Sequence, residues 1–220
     1  MKKIAFIVSG LIGHKKKILK DIEAHFEKGK YSYQVFETKF ANHARQLSAE
    51  VFRDGYSYII AVGGDGTFNE VVNGIFDECR ISEEVSVRES QYNFEKLKQS
   101  VIGLYPAGSG NDFSRTSGIL KSAAYLKLLI DNNKEELVDV GIGMFTSLLP
   151  NDQQSKGSRI FVNVADVGMG GAATFYLAKM KSKSFLSPTL QYAKAIIQTF
   201  LTYKKQEAAF IGKNFSWQGK

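Results

Sequence analysis

The chain has 220 residues, 44% of them hydrophobic and 23% charged, with a formal net charge of +7. Such a balance suits one large soluble domain, or one domain and part of another, and excludes a disordered or low-complexity chain. Cys79 is the only cysteine, which rules out an intrachain disulfide, and no apolar run approaches the roughly 20 residues that span a bilayer.

The start, Met1-Lys2-Lys3-Ile4, runs directly into a patterned strand without an apolar leader, so a cytoplasmic location is expected. Strands are expected near 3–9, 32–37, 57–62 and 101–106. Helical patterns lie between and after them, near 14–28, 42–53, 67–77 and 112–131. Alternation of this kind predicts a parallel sheet with helices on both faces, an α/β fold. From Asp77 to Ser100 the pattern lapses into a charged excursion, with a short helix near Tyr92 to Lys98. After about Glu135 strand-like runs at Leu137 to Met144 and Arg159 to Val167 bracket a polar loop, Asn151 to Ser158. Helical patterns follow at Ala172 to Lys181 and Pro188 to Tyr203, then strands at Glu207 to Ile211 and Phe215 to Trp217. The expected organisation is a Rossmann-like domain over 1–134 and a β-rich, sandwich-like second domain over 135–220. The second domain reads as incomplete, because its few strands leave an open edge.

Charge is unevenly placed. Residues 1–140 hold 19 Lys+Arg and 19 Asp+Glu, whereas residues 141–220 hold 10 and 3. Attraction of that basic half to an anionic membrane surface is one expectation; the other is a solvated basic face, or a domain whose acidic remainder is missing. Phe175, Tyr176, Phe185, Tyr192 and Phe200 lie in the same half and read as core packing in preference to a lipid cleft. Tyr31, Tyr33, Phe36 and Phe40 read as packing of a strand.

The chemistry concentrates in two turns. Gly63-Gly64-Asp65-Gly66-Thr67 separates the apolar run Tyr58 to Val62 from Phe68, Val71, Val72, Ile75 and Phe76, which recur at helical spacing. Glycines at a strand-to-helix turn bring backbone N–H groups close to an anion, with the helix N-terminus behind them. Asp65 adds a carboxylate that phosphates alone would repel, which points to a metal ion. After Val101 to Tyr105 comes a second such turn, Pro106-Ala107-Gly108-Ser109-Gly110-Asn111-Asp112-Phe113, before a helix that Asn111 or Asp112 is placed to cap. Two such loops at the carboxyl ends of strands in one sheet converge on one crevice. His14, His25 and His43 are too scattered for a metal set.

Taken together, Gly63 to Glu70 and Pro106 to Arg115 resemble the two signatures of the diacylglycerol kinase catalytic domain, the family of bacterial lipid kinases related to sphingosine kinases. Ser109 stands where Thr is usual. Thr38 with His43-Ala44, and Asn163 to Gly168, look like further matches. The first loop, Ser9-Gly10-Leu11-Ile12-Gly13, departs from the family's Asn-Pro-x-Ser-Gly.

The resemblance implies an ATP-dependent lipid kinase using Mg²⁺, with diacylglycerol the first choice of acceptor. Asp65 is then the catalytic residue and the candidate Mg²⁺ residue. Nucleotide contacts fall to Ser9, Gly13, Thr38, Gly63, Gly64, Asp65, Gly66, Thr67, Asn69 and Ser109, while Glu70, Asn111 and Asp112 orient the loops. The acceptor lipid would be met at a membrane surface through the basic half. A nucleic-acid partner is not expected, and the oligomeric state is open. The family's Asp-Gly-Glu segment does not occur in the sequence, which leaves a truncated, non-catalytic nucleotide- or lipid-binding protein as the alternative. An NAD kinase, sharing only the first signature, ranks lower.

Overall fold

The computed structural model describes residues 2–26, 30–81, 92–148, 154–166, 168–181, 188–204, 207–211 and 216–219. Two compact units emerge, 1–163 and 164–220.

In the first unit β1 (Lys2–Val8), β2 (Tyr31–Glu37), β3 (Tyr58–Gly63) and β4 (Val101–Pro106) form one parallel sheet in the order β2-β1-β3-β4. Strands buried on both faces read as near-continuous apolar runs, as Ile4 to Val8 and Tyr58 to Val62 do. Alternate side chains feed two cores. Ile4, Phe6, Val8, Ile60 and Val62 pack with α1 (Lys15–His25) and α6 (Ala123–Asp131). Ala5, Ile7, Ile59 and Ala61 pack with α2 (His43–Arg53) and α3 (Asp65–Glu78). The expected stripe of α3, Phe68, Val71, Val72, Ile75 and Phe76, is wholly buried. Tyr31, Tyr33 and Phe36 pack along their strand, against Phe26, Phe6 and Tyr56 respectively. Phe40 does not: it is exposed and stacks on His43.

Three elements differ from the sequence pattern. The helix expected over 112–131 is two, α5 (Asp112–Thr116) and α6, because Gly118 adopts φ +67° and Ser122 starts a new helix by accepting from the Tyr125 N–H. The excursion keeps a short α4 (Phe94–Leu97), capped by Asn93, and an antiparallel bridge from Arg80 to Tyr92; residues 82–91 lie outside the described residues. Of the loop expected at Asn151 to Ser158, residues 154–158 are strand and 151–153 lie outside the described residues. β5 (Gly141–Leu148) and β6 (Gln154–Phe161) pair antiparallel, from Gly141 opposite Phe161 to Leu148 opposite Gln154. Polar residues on a hairpin arm paired on one side give no apolar alternation to read.

In the second unit α7 (Met169–Lys181) packs on α8 (Pro188–Thr202), and β7 (Ala208–Ile211) pairs antiparallel with β8 (Ser216–Gly219). Phe215, expected to begin β8, is outside the described residues, as is Phe185. The buried stripe of α8 is Gln191, Ala195 and Thr199, with the Thr199 hydroxyl donating to the Ala195 carbonyl. Phe175, Tyr192 and Phe200 are exposed rather than packed in a core.

Candidate functional site

Parallel pairing sets the carboxyl ends of the four strands side by side: Val8 lies opposite Glu37 and Val62, and Gly63 lies opposite Pro106. Backbone bonds continue past the strands, from Ser9 N to Val62 O (2.9 Å), Thr38 N to Val8 O (2.9 Å) and Ala107 N to Gly63 O (2.8 Å). The connections after all four strands thus leave the same edge. Winding reverses between β1 and β3, the position where open α/β sheets bind ligands.

The two glycine-rich turns touch through their main chains. A Cβ built on Gly108 would stand 2.4 Å from the Gly64 Cα, and one on Gly64 would stand 3.1 Å from the Gly108 Cα. No side chain fits between them, so glycine at both positions brings the two loops into contact. Thr67 folds back over Gly63, where a Cβ would meet its Oγ1 at 2.5 Å.

Asp65 sits in the first turn of α3, and its carboxylate reaches the other loop. Oδ2 accepts from the Asp112 N–H (3.1 Å) and Oδ1 from the Phe113 N–H (3.0 Å). These are unpaired donors of the first turn of α5, so Asp65 caps a helix it does not belong to. Of the two expected caps, Asn111 holds the N-cap position of α5, yet it makes no side-chain cap bond. Asn111 is left-handed (φ 54°) and turns its side chain inward, where Oδ1 accepts from Gly108 N at 2.9 Å and Nδ2 donates to Gly108 O at 2.8 Å. Asp112 instead pairs with Arg115 at 2.7 Å.

A second set of bonds reaches the first loop. The Thr38 hydroxyl accepts from Gly10 N (3.0 Å), and buried Ser9 accepts from Leu11 N (3.4 Å). Glu70, one turn beyond the glycines on α3, accepts from Asn42 N (3.0 Å) and Ala44 N (3.2 Å) at the start of α2. Asn69 accepts from the Asn73 amide at 3.2 Å. Gly13, Gly66 and Ser109 remain exposed on the rim. Lys15, just past the first loop, pairs with Glu37.

The sequence reading missed Asn73. It is 2% exposed, and it donates to Ile160 O (2.8 Å) and accepts from Ile160 N (3.0 Å), bonding the β5–β6 hairpin to α3. Its signal was available, since an amide one turn after Asn69 interrupts the apolar face of α3 and needs a partner there.

The glycine turn and the N-terminus of α3, a 14-residue helix, offer backbone donors of the kind that suit an anion such as a phosphate. For a cation, no group of three or more His, Cys, Asp and Glu comes together among the described residues. Asp65 is on hand, with the Asp112 carboxylate on the other side of Gly110: a Cβ built on Gly110 would stand 3.2 Å from Asp65 Oδ2 and 3.4 Å from Asp112 Oδ2. A Mg²⁺ there would take most of its oxygens from phosphates and water, the usual habit of that ion.

Comparison with known proteins gives the same direction. The model of the diacylglycerol kinase catalytic domain matches residues 5–142. A diacylglycerol kinase of Staphylococcus carnosus (strain TM300) is 29% identical over 187 residues, covering 82% of this chain and 49% of the relative. A Pseudomonas putida protein described as a probable lipid kinase is 28% identical over 183 residues, covering 81% and 49%. The chain spans about half the length of the curated relatives it matches. A solved Bacillus anthracis str. Sterne protein, described as a candidate diacylglycerol kinase, covers 99% of this chain and 63% of its own at a TM-score of 0.56 and 21% identity, a likeness of fold. With its family model matched over more than half its length, the chain belongs to the diacylglycerol kinase catalytic domain family.

Proposed function

We propose that the chain is the nucleotide-binding part of an ATP-dependent lipid kinase, residues 1–134 holding the nucleotide and residues 135–220 belonging to the second domain. The observation that carries this reading is the contact of the two glycine turns at Gly64 and Gly108, with Asp65 joining them. Phosphoryl transfer needs a phosphate cradle and compensation of charge more than covalent help from the protein. Backbone N–H groups from Gly64 to Thr67, the donors left free before the Phe68 N–H bonds Gly64 O, form the cradle, with Thr67, Asn69 and Ser109 at its edge and Ser9, Gly13 and Thr38 along the nucleotide. Mg²⁺, when bound, neutralises charge developing on the transferred group. Asp65 keeps the second loop against the first and supplies negative charge for that ion. Diacylglycerol is the proposed acceptor, met at an anionic membrane surface by the basic residues of 141–220. No helix among the described residues is long and apolar enough to cross a membrane.

Lipid phosphorylation with radiolabelled ATP, Mg²⁺ and diacylglycerol in mixed micelles tests the proposal. Labelled lipid is expected, and Asp65→Ala should lower turnover roughly 10²-fold or more while leaving the circular-dichroism spectrum unchanged. Labelling of NAD and not of lipid would sink the lipid reading. ATP binding without turnover would assign these 220 residues to nucleotide binding alone.

A further inference from the structure

Helix α2 opens with backbone donors that its own sequence leaves uncapped. Its N-cap residue, Asn42, is left-handed (φ 64°, ψ 7°) and makes no side-chain cap bond; its Oδ1 instead accepts from an Arg159 guanidinium nitrogen at 3.0 Å. The donors are met from outside by Glu70, through Asn42 N and Ala44 N. Segment 38–42 is tightly folded between these points. The Lys39 N–H donates to His43 Nδ1 (3.0 Å), the His43 N–H donates to Phe40 O (3.2 Å), and the Phe40 and His43 rings stack at 4.4 Å. One end of the segment hangs on β1 through Thr38 N, and the other is held by Glu70. Thr38 in turn bonds Gly10 N, and its carbonyl lies against the Gly10 backbone, 2.4 Å from where a Cβ would be.

We infer that Glu70 is a positioning residue that sets the 9–13 loop, and with it nucleotide affinity, through segment 38–44 and the Thr38 hydroxyl. The inference rests on the nucleotide-site reading above. It separates loop position from general stability, because α2 keeps other anchors on α3. The Arg45 guanidinium forms two bonds with Asp77, and at Gly74 the two helices cross with no room for a side chain. Loss of Glu70 therefore frees the segment before α2 while the helix stays in place.

The experiment uses the full chain and two readouts. Amide hydrogen exchange followed by NMR should show Glu70→Gln accelerating exchange at Gly10 as well as at residues 39–44, whereas Thr38→Ala accelerates Gly10 alone. Calorimetric titration with ATP should show Kd rising about fivefold or more in each variant, with no further rise in the double variant, since both act on one loop. Exchange at Gly10 that is unaffected by Glu70→Gln overturns the inference, as do Kd effects that multiply in the double variant. An unaltered chain that binds no ATP would overturn the nucleotide reading instead, and the relay from Glu70 to Gly10 then stands or falls on the exchange data.

Discussion

Asp21, Asp65 and Glu70 each accept a backbone N–H at the start of a helix to which they do not belong: α6, α5 and α2 respectively. A carboxylate at a helix N-terminus is favoured by both the unpaired donors and the dipole, so each acid joins two elements. The sequence made Asp65 legible as a phosphate-site acid because its glycine neighbours announce the turn. It left the second role hidden, since nothing local says which helix end a side chain will reach. The same holds for Asn73, whose partners at Ile160 are 87 positions away. Asn73→Ala should lower stability by about 1–3 kcal/mol in urea denaturation, because it leaves a buried N–H and a buried carbonyl without their side-chain partner. Gly108→Ala places a methyl against the Gly64 backbone, which yields little. It is expected to weaken ATP binding at least about tenfold in calorimetry, with a smaller effect on the urea midpoint than that of Asn73→Ala.

Periodicity located the strands and main helices of the first unit because each buries an apolar face of its own. It erred where the deciding residue is a single backbone position or a pairing partner, as at Gly118 inside the expected 112–131 helix and at the arm of β6. The crossing of α2 and α3 is a further case. Gly74 lies mid-helix, where alanine is intrinsically preferred by roughly 0.5–1 kcal/mol. Yet a Cβ there would meet Arg45 O and Ser48 Oγ, each at 2.1 Å, so the helices would have to separate. Gly74→Ala should therefore reduce stability despite its better propensity; a raised melting temperature would show that the crossing relaxes freely.

For the molecule as a whole, several buried groups, Tyr58, Tyr105 and Cys79 above all and Tyr56 in the same direction, hold their protons more tightly than in an unfolded chain. Burial pushes the Tyr58 phenol up to about 12, with help from its hydrogen bond to Glu135, and the Tyr105 phenol likewise, with help from Asp21. Burial also pushes the Cys79 thiol up to about 11. With folded values above unfolded ones, the unfolded chain releases its protons first as pH rises, and stability is lost from about pH 9 to about 12. Urea midpoints should be level from pH 7 to 9 and fall beyond, with Tyr58→Phe and Tyr105→Phe flattening the fall above pH 10. A midpoint unchanged from pH 8 to 11.5 would contradict this.

The same thiol has a practical consequence for spectroscopy. Cys79 is 1% exposed, it is the only cysteine in the sequence, and as a thiol rather than a thiolate it is a poor nucleophile near neutral pH. Maleimide dyes should leave the folded native chain nearly unlabelled. A cysteine introduced on an exposed rim position such as Ser109 would then carry the fluorophore alone, and loop motions could be followed without first removing the native sulfur.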